Sequence, residues 1–150
     1  MTSLAALAAL AAVAALAALN AGLVVENDWP GAGVRFGTAL SVEIAVLLLA
    51  LALAAGARRP AARGAIGLLA AGYTLLALGR YADVTVPALF GRAINLYWDG
   101  RHLPQVLALA ASDAPWWRIA FVATGALTLV WAIHRCAAWA LAALQRGLAL

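Results

Sequence analysis

The chain contains no lysine, one cysteine and little charge: 11% of its 150 residues are Asp, Glu or Arg, against 67% hydrophobic. Soluble domains carry about 25% charged residues. A chain this apolar cannot cover itself with polar surface, so lipid is its expected solvent. With Cys136 alone, an internal disulfide and a Cys-x-x-Cys site are both excluded, and cysteine usage says nothing about redox compartment. The net charge of +4 comes entirely from arginine. A basic balance can point to nucleic acid, but these arginines stand in ones and twos between apolar runs, where they anchor membrane helix ends. No nucleic-acid partner is expected. Nor is there a Gly-x-Ser-x-Gly, His-Glu-x-x-His or phosphate-binding P-loop motif.

What is present is hydrophobic length. The sequence predicts an all-α, single-domain integral membrane protein: a four-helix bundle with spans at about 3–25, 38–57, 64–79 and 116–134. An outer interfacial cap at 80–115 and an amphipathic inner tail at 136–150 complete it. Residues 3–25 lack a basic leading segment and exceed the apolar length of a signal peptide, so they read as a retained helix. Their bulk recurs every third residue (Leu4, Leu7, Leu10, Val13, Leu16, Leu19), which winds it around the helix and leaves alanine on every side for close packing. In the tail, Leu141, Leu144 and Leu148 share one face, opposite Arg135 and Arg146. That suits a helix lying on the inner membrane surface, or else a continuation of the fourth span.

Charge sets the expected orientation. Arg58, Arg59 and Arg63 crowd the loop after the second span, and Arg135 and Arg146 follow the fourth, with no acid near either group. All six acids (Glu26, Asp28, Glu43, Asp83, Asp99, Asp113) fall on the other side. The positive-inside rule then puts both termini in the cytoplasm, and Cys136 near the inner face.

Within the second span, Glu43 is an ionisable group at membrane depth, which usually faces a bundle interior and finds a partner. Arg80 and Arg118 lie at similar expected depth, so an intramembrane ion pair among Glu43, Arg80 and Arg118 is expected. Residues 80–104 hold the mixed chemistry of the chain: charges, an asparagine, a histidine, aromatics and two prolines. Arg80, Asp83, Arg92, Asn95, Trp98, Asp99, Arg101 and His102 form a candidate outer-face interaction site, with the arginines pairing with Asp83 and Asp99. Pro87 and Pro104 should interrupt the segment, leaving a short helix at 103–111 that stops at Ser112-Asp113-Ala114-Pro115. The spacing of Asp83, Asp99 and His102 matches no metal-ligand pattern, so no metal or cofactor is expected.

The run Arg-Tyr-Ala-Asp-Val-Thr-Val-Pro-Ala-Leu-Phe-Gly-Arg-Ala-Ile-Asn-Leu-Tyr-Trp-Asp-Gly-Arg-His-Leu-Pro, residues 80–104, resembles a stretch in the N-terminal membrane region of bacterial sulfatase-like proteins. These belong to the alkaline phosphatase superfamily, broadly like lipoteichoic acid synthases and phosphoethanolamine transferases. The resemblance implies a bacterial cytoplasmic membrane and a helical bundle that precedes a large extracytoplasmic domain with a Ser/Thr nucleophile and a carboxylate/histidine metal site. This sequence ends at Leu150, where such a domain would begin, so no catalytic residue carries over. The expected function is a non-catalytic membrane module, in contact with membrane lipids, that anchors or docks an extracytoplasmic enzyme partner or pairs with its own copy. The alternatives are a small transporter or channel subunit using Glu43 and the outer arginines, and an interfacial enzyme acting on lipid phosphates.

Overall fold

In a computed structural model, which describes residues 2–28, 33–56 and 62–148, the chain is helical apart from one short hairpin. Five helices are described: α1 (Thr2–Leu23), α2 (Val42–Gly56), α3 (Arg63–Phe90), α4 (Leu96–Asp113) and α5 (Trp116–Leu148). Between α1 and α2, β1 (Val25–Asn27) pairs antiparallel with β2 (Val34–Phe36) in the register Val25–Phe36, Glu26–Arg35 and Asn27–Val34. Three helical stretches are long and apolar enough to cross a membrane: Ala5–Leu23, Gly64–Phe90 and Trp116–Leu148. These mark a membrane protein. Arg58 and Arg59 lie outside the described residues.

The core is built from small residues. Ala15, Leu19 and Leu23 of α1, Ile44 and Leu51 of α2, Ala70 of α3, and Ala137, Ala140, Leu141, Ala143 and Leu144 of α5 form one buried cluster. Alanine brings helix backbones close, the packing mode that works where lipid removes the hydrophobic drive for helix association. At Gly147 of α5 the two helices come close: a Cβ there would stand 2.6 Å from that of Ala12 and 3.6 Å from the Ala8 carbonyl. The N-terminal half of α1 and the C-terminal end of α5 therefore share one end of the bundle.

Polar groups fix the other end. Asn20, in the last turn of α1, donates through Nδ2 to the Ala39 carbonyl at 2.8 Å and accepts from the Ser41 N–H at 2.8 Å. It holds the chain entering α2. Ser41 then caps that helix, accepting from the Ile44 N–H at 3.3 Å. Tyr73 of α3 donates to the Leu19 carbonyl at 3.0 Å across the α1–α3 contact. The hairpin packs its β1 strand along α3, and Gly37 closes it against Val24, where an added Cβ would meet the valine side chain at 2.6 Å.

The fold is helical as expected, with the pairing of Val25–Asn27 and Val34–Phe36 added between α1 and α2. The helix bounds differ. The second apolar run gives a helix of 15 described residues, Val42–Gly56, shorter than the other three apolar helices. The third helix does not stop near 79; it runs 28 residues, through Pro87 to Phe90, and takes in the first part of the expected cap. Pro87 sits in the last turn, where its carbonyl accepts the N–H of Gly91, the left-handed residue (φ 66°) that ends the helix. The tail is no separate surface helix. α5 is continuous from Trp116 to Leu148, and its last third is the most buried part of the molecule, with Leu141 1% and Leu144 3% exposed. Of the apolar face read along 141–148, Leu141 and Leu144 are packed in the core, whereas Leu148 is 40% exposed.

The converse holds for the rest of α5. Every residue from Pro115 to Trp131 is exposed, although this was the expected fourth span. Together with α4, in which no residue is buried, it forms an apolar arm outside the packed cluster.

Candidate functional site

The 91–104 segment is organised by the start of α4, which begins at Leu96 and not at 103; Pro104 is its ninth residue. Asn95 is the N-cap, its side chain accepting from the Trp98 N–H at 3.2 Å. The Asp99 carboxylate reaches back to the Asn95 N–H at 2.9 Å, a reciprocal arrangement close to a capping box. Arg92 closes the turn with a two-pronged pair to Asp99, at 2.6 Å and 3.1 Å. The Arg92 guanidinium, and then the Asn95 N–H, hold the Asp99 carboxyl below its ordinary range, while the same hydrogen bond pushes Arg92 up.

Arg101 takes no carboxylate. Its guanidinium lies 5.5 Å from the Trp98 ring centre and 5.7 Å from that of Tyr97, and these two rings meet edge to face at 5.2 Å. Both distances fall within the ~6 Å reach of a cation–π contact. Arg118, at the start of α5, lies 5.1 Å from the Trp117 ring in the same way. His102 stands near enough to Asp99 to favour its ionised form. The structure thus joins Arg92, Asn95 and Asp99 in one unit and Trp98 and Arg101 in a second, contiguous one. Arg80 and Asp83 belong elsewhere: they pair with each other at 3.4 Å on α3, about 15 Å of helix before Phe90. Among the described residues no three His, Cys, Asp or Glu side chains gather as metal ligands would.

The ion pair expected among Glu43, Arg80 and Arg118 is not formed. Glu43 is in the first turn of α2, not five residues deep, and is exposed. Its Oε2 accepts the Ser41 hydroxyl at 2.6 Å, Arg80 is committed to Asp83, and Arg118 to a tryptophan ring. Glu43 and Arg80 nevertheless face one another across a cleft of about 290 Å³ that also takes in Gly79 and Asp83.

A larger apolar cavity of about 640 Å³ lies between α1, α3, α5 and the hairpin, lined in part by Gly22, Phe36, Tyr73, Tyr81 and Cys136. Cys136 therefore shares this cavity with Val25, Val34 and Phe36 of the hairpin. Sequence reading missed Asn20 and Ser41, the two groups that tie α1 to α2. A lone asparagine in an apolar helix was the available signal, since such groups hydrogen-bond between membrane helices. No family model, no curated protein and no solved structure matches this chain.

Proposed function

We propose that this chain is a non-catalytic integral membrane module of a bacterial cytoplasmic membrane that docks an extracytoplasmic enzyme partner of the sulfatase-like class through its α4–α5 arm. The observation that carries the reading is a mismatch of lengths. α5 has 33 residues and α1 has 22, about 50 Å and 33 Å. They pack with the end of α5 beside Ala8 and Ala12, midway along α1. At ~1.5 Å per residue the two together extend over about 60 Å, twice a ~30 Å hydrocarbon core. Tilting by the ~40° that membrane helices tolerate still leaves more than one core thickness. A slab that covers α1 leaves the first half of α5 outside, with Trp116, Trp117, Phe121, Val122 and Leu127 bare. An exposed apolar patch of that size marks an interaction surface.

Two further observations support the reading. Gly147, near the end of α5, lies beside Ala8 and Ala12 of α1, so the described ends of these two helices lie toward one end of the bundle, and the positive-inside rule assigns that end to the cytoplasm. Asp99, at the start of α4, is engaged by Arg92. Ester cleavage of the sulfatase type needs an activated hydroxyl and several free metal ligands, and the purified chain should turn over no phosphate or sulfate ester with Zn²⁺, Mg²⁺ or Mn²⁺.

Photo-crosslinking residues placed at Phe121 and Leu127 in living cells test the docking. The expected product is a discrete adduct with a protein carrying an extracytoplasmic phosphatase-type domain. Adducts with lipid alone, or with a second copy of this chain, would overturn it.

A further inference from the structure

α2 and α3 follow one another in sequence, yet α2 rests on α1 and α5 and makes little contact with α3. A lateral cleft opens between them. Its lower part, about 210 Å³, is walled by Leu23, Leu47, Leu68, Leu69, Gly72 and Leu76. Its upper part, about 290 Å³, shares Leu23, Glu43 and Leu76 with the lower and ends at Arg80 and Asp83. Gly72 and Gly79 lie on the α3 wall, and nothing stands within 4 Å of where their Cβ atoms would be. These two glycines, seven residues apart and hence on one face, make that wall concave.

From Leu68 to Asp83 the cleft follows about 22 Å of helix. One leaflet, half of a ~40–45 Å bilayer with its headgroups, has the same depth. The polarity runs the same way: leucine for most of that length, then one guanidinium and two carboxylates at the mouth. We infer that the cleft between α2 and α3 holds one phospholipid whose headgroup carries both a phosphate and a primary ammonium, as phosphatidylethanolamine does.

The chemistry of the mouth selects that headgroup. Arg80 makes a single long contact with Asp83 at 3.4 Å, and a guanidinium has five N–H donors, so it retains donors for phosphate oxygens. Glu43 uses one oxygen to accept from Ser41. A carboxylate offers about four lone-pair sites, which leaves Glu43 and Asp83 able to accept from an ammonium. A trimethylated ammonium has no N–H to give them, and an anionic headgroup meets two like charges. The cleft lies apart from the α4–α5 arm, so the inference rests only on the chain being membrane-embedded and stands or falls separately from the docking of a partner.

The test is lipid retention by the purified full-length protein. Protein extracted from mixed vesicles of equal phosphatidylethanolamine, phosphatidylcholine and phosphatidylglycerol is analysed by native mass spectrometry. One phosphatidylethanolamine per chain, retained in several-fold preference over the other two, is expected. The double variant Glu43→Gln/Asp83→Asn should lose the preference, and Gly72→Leu, which fills the lower cleft, should lose retention of every lipid. Helical content and thermal stability of each variant are measured in parallel, and the double charge variant carries the conclusion if Gly72→Leu does not fold. Excess soluble glycerophosphoethanolamine should displace nothing. Equal retention of the three lipids, an unchanged preference in the double variant, or displacement by the soluble headgroup would overturn the assignment.

Discussion

Gly147 shows how much of this molecule depends on single atoms. Its missing side chain lets α5 seat on α1 beside Ala8 and Ala12, where both neighbours are rigid. Gly147→Leu should lower stability in detergent by about 1–3 kcal/mol, the usual cost of forcing atoms into a packed contact. Gly125→Ala, where an added Cβ meets nothing within 4 Å, should be neutral or slightly stabilising through helix propensity. Equal melting temperatures for the two variants would contradict the α1–α5 contact. At the other end, Asp99 holds the start of α4, with its carboxyl lowered from an ordinary value of 3.8 by Arg92 and then by the Asn95 N–H. A carboxylate depressed in the folded state stabilises above its unfolded pKa and loses that contribution as pH falls through the folded value. The α4 N-terminus should therefore stay formed at neutral pH and loosen only in acid below the ordinary carboxylate range. The Trp98 amide signal followed by NMR reads this out, and Asp99→Asn should remove the acid transition. At this scale the sequence was partly legible. Arginines pairing with Asp83 and Asp99 is the arrangement found for Arg80 and Arg92. Arg101 instead lies over the Tyr97 and Trp98 rings, while Arg92 and the Asn95 N–H bond Asp99.

The helices illustrate what hydrophobic pattern alone leaves open. Apolar runs located α1, most of α3 and the start of α5, and Ser112 to Pro115 marked the break between α4 and α5. Periodicity also found the face of Leu141 and Leu144, but a stripe of that kind fits a membrane surface and a packed core equally well. Only the alanines of α1, arriving from 130 residues away in sequence, decide between them. The prolines misled for a related reason. Pro87 falls in a last turn and Pro104 within the exposed α4, and both helices continue through them. The short strands around residues 25–36 carry too few residues to show alternation, and their pairing depends on Gly37 and the Glu26–Arg35 contact at 2.8 Å. The division of α5 gives a direct prediction. Leu141→Ala or Leu144→Ala should cost about 2–4 kcal/mol, as core truncations do, while Leu127→Ala, 72% exposed, should leave the purified protein's stability within about 0.5 kcal/mol. The reverse order would place the packed half of α5 at its N-terminal end.

For the whole molecule, composition alone identified lipid as solvent, but no local pattern reports how far one helix slides past another. The stagger of α5 against α1, with Gly147 seated beside Ala8 and Ala12, leaves the apolar 116–131 segment outside the packed cluster. Docking through this arm requires that it, with the hairpin, be extracytoplasmic, and that Ala62 and Leu148 be cytoplasmic. Substituted-cysteine labelling in intact cells tests that requirement most directly. In a Cys136→Ala background, single cysteines replace Asp28, Ala62, Asp113 and Leu148, and a membrane-impermeant maleimide is applied before and after permeabilisation. Asp28→Cys and Asp113→Cys should label in intact cells, and Ala62→Cys and Leu148→Cys only after permeabilisation. Labelling of Ala62→Cys or Leu148→Cys in intact cells, with Asp28→Cys and Asp113→Cys protected, would place the arm in the cytoplasm and contradict the account.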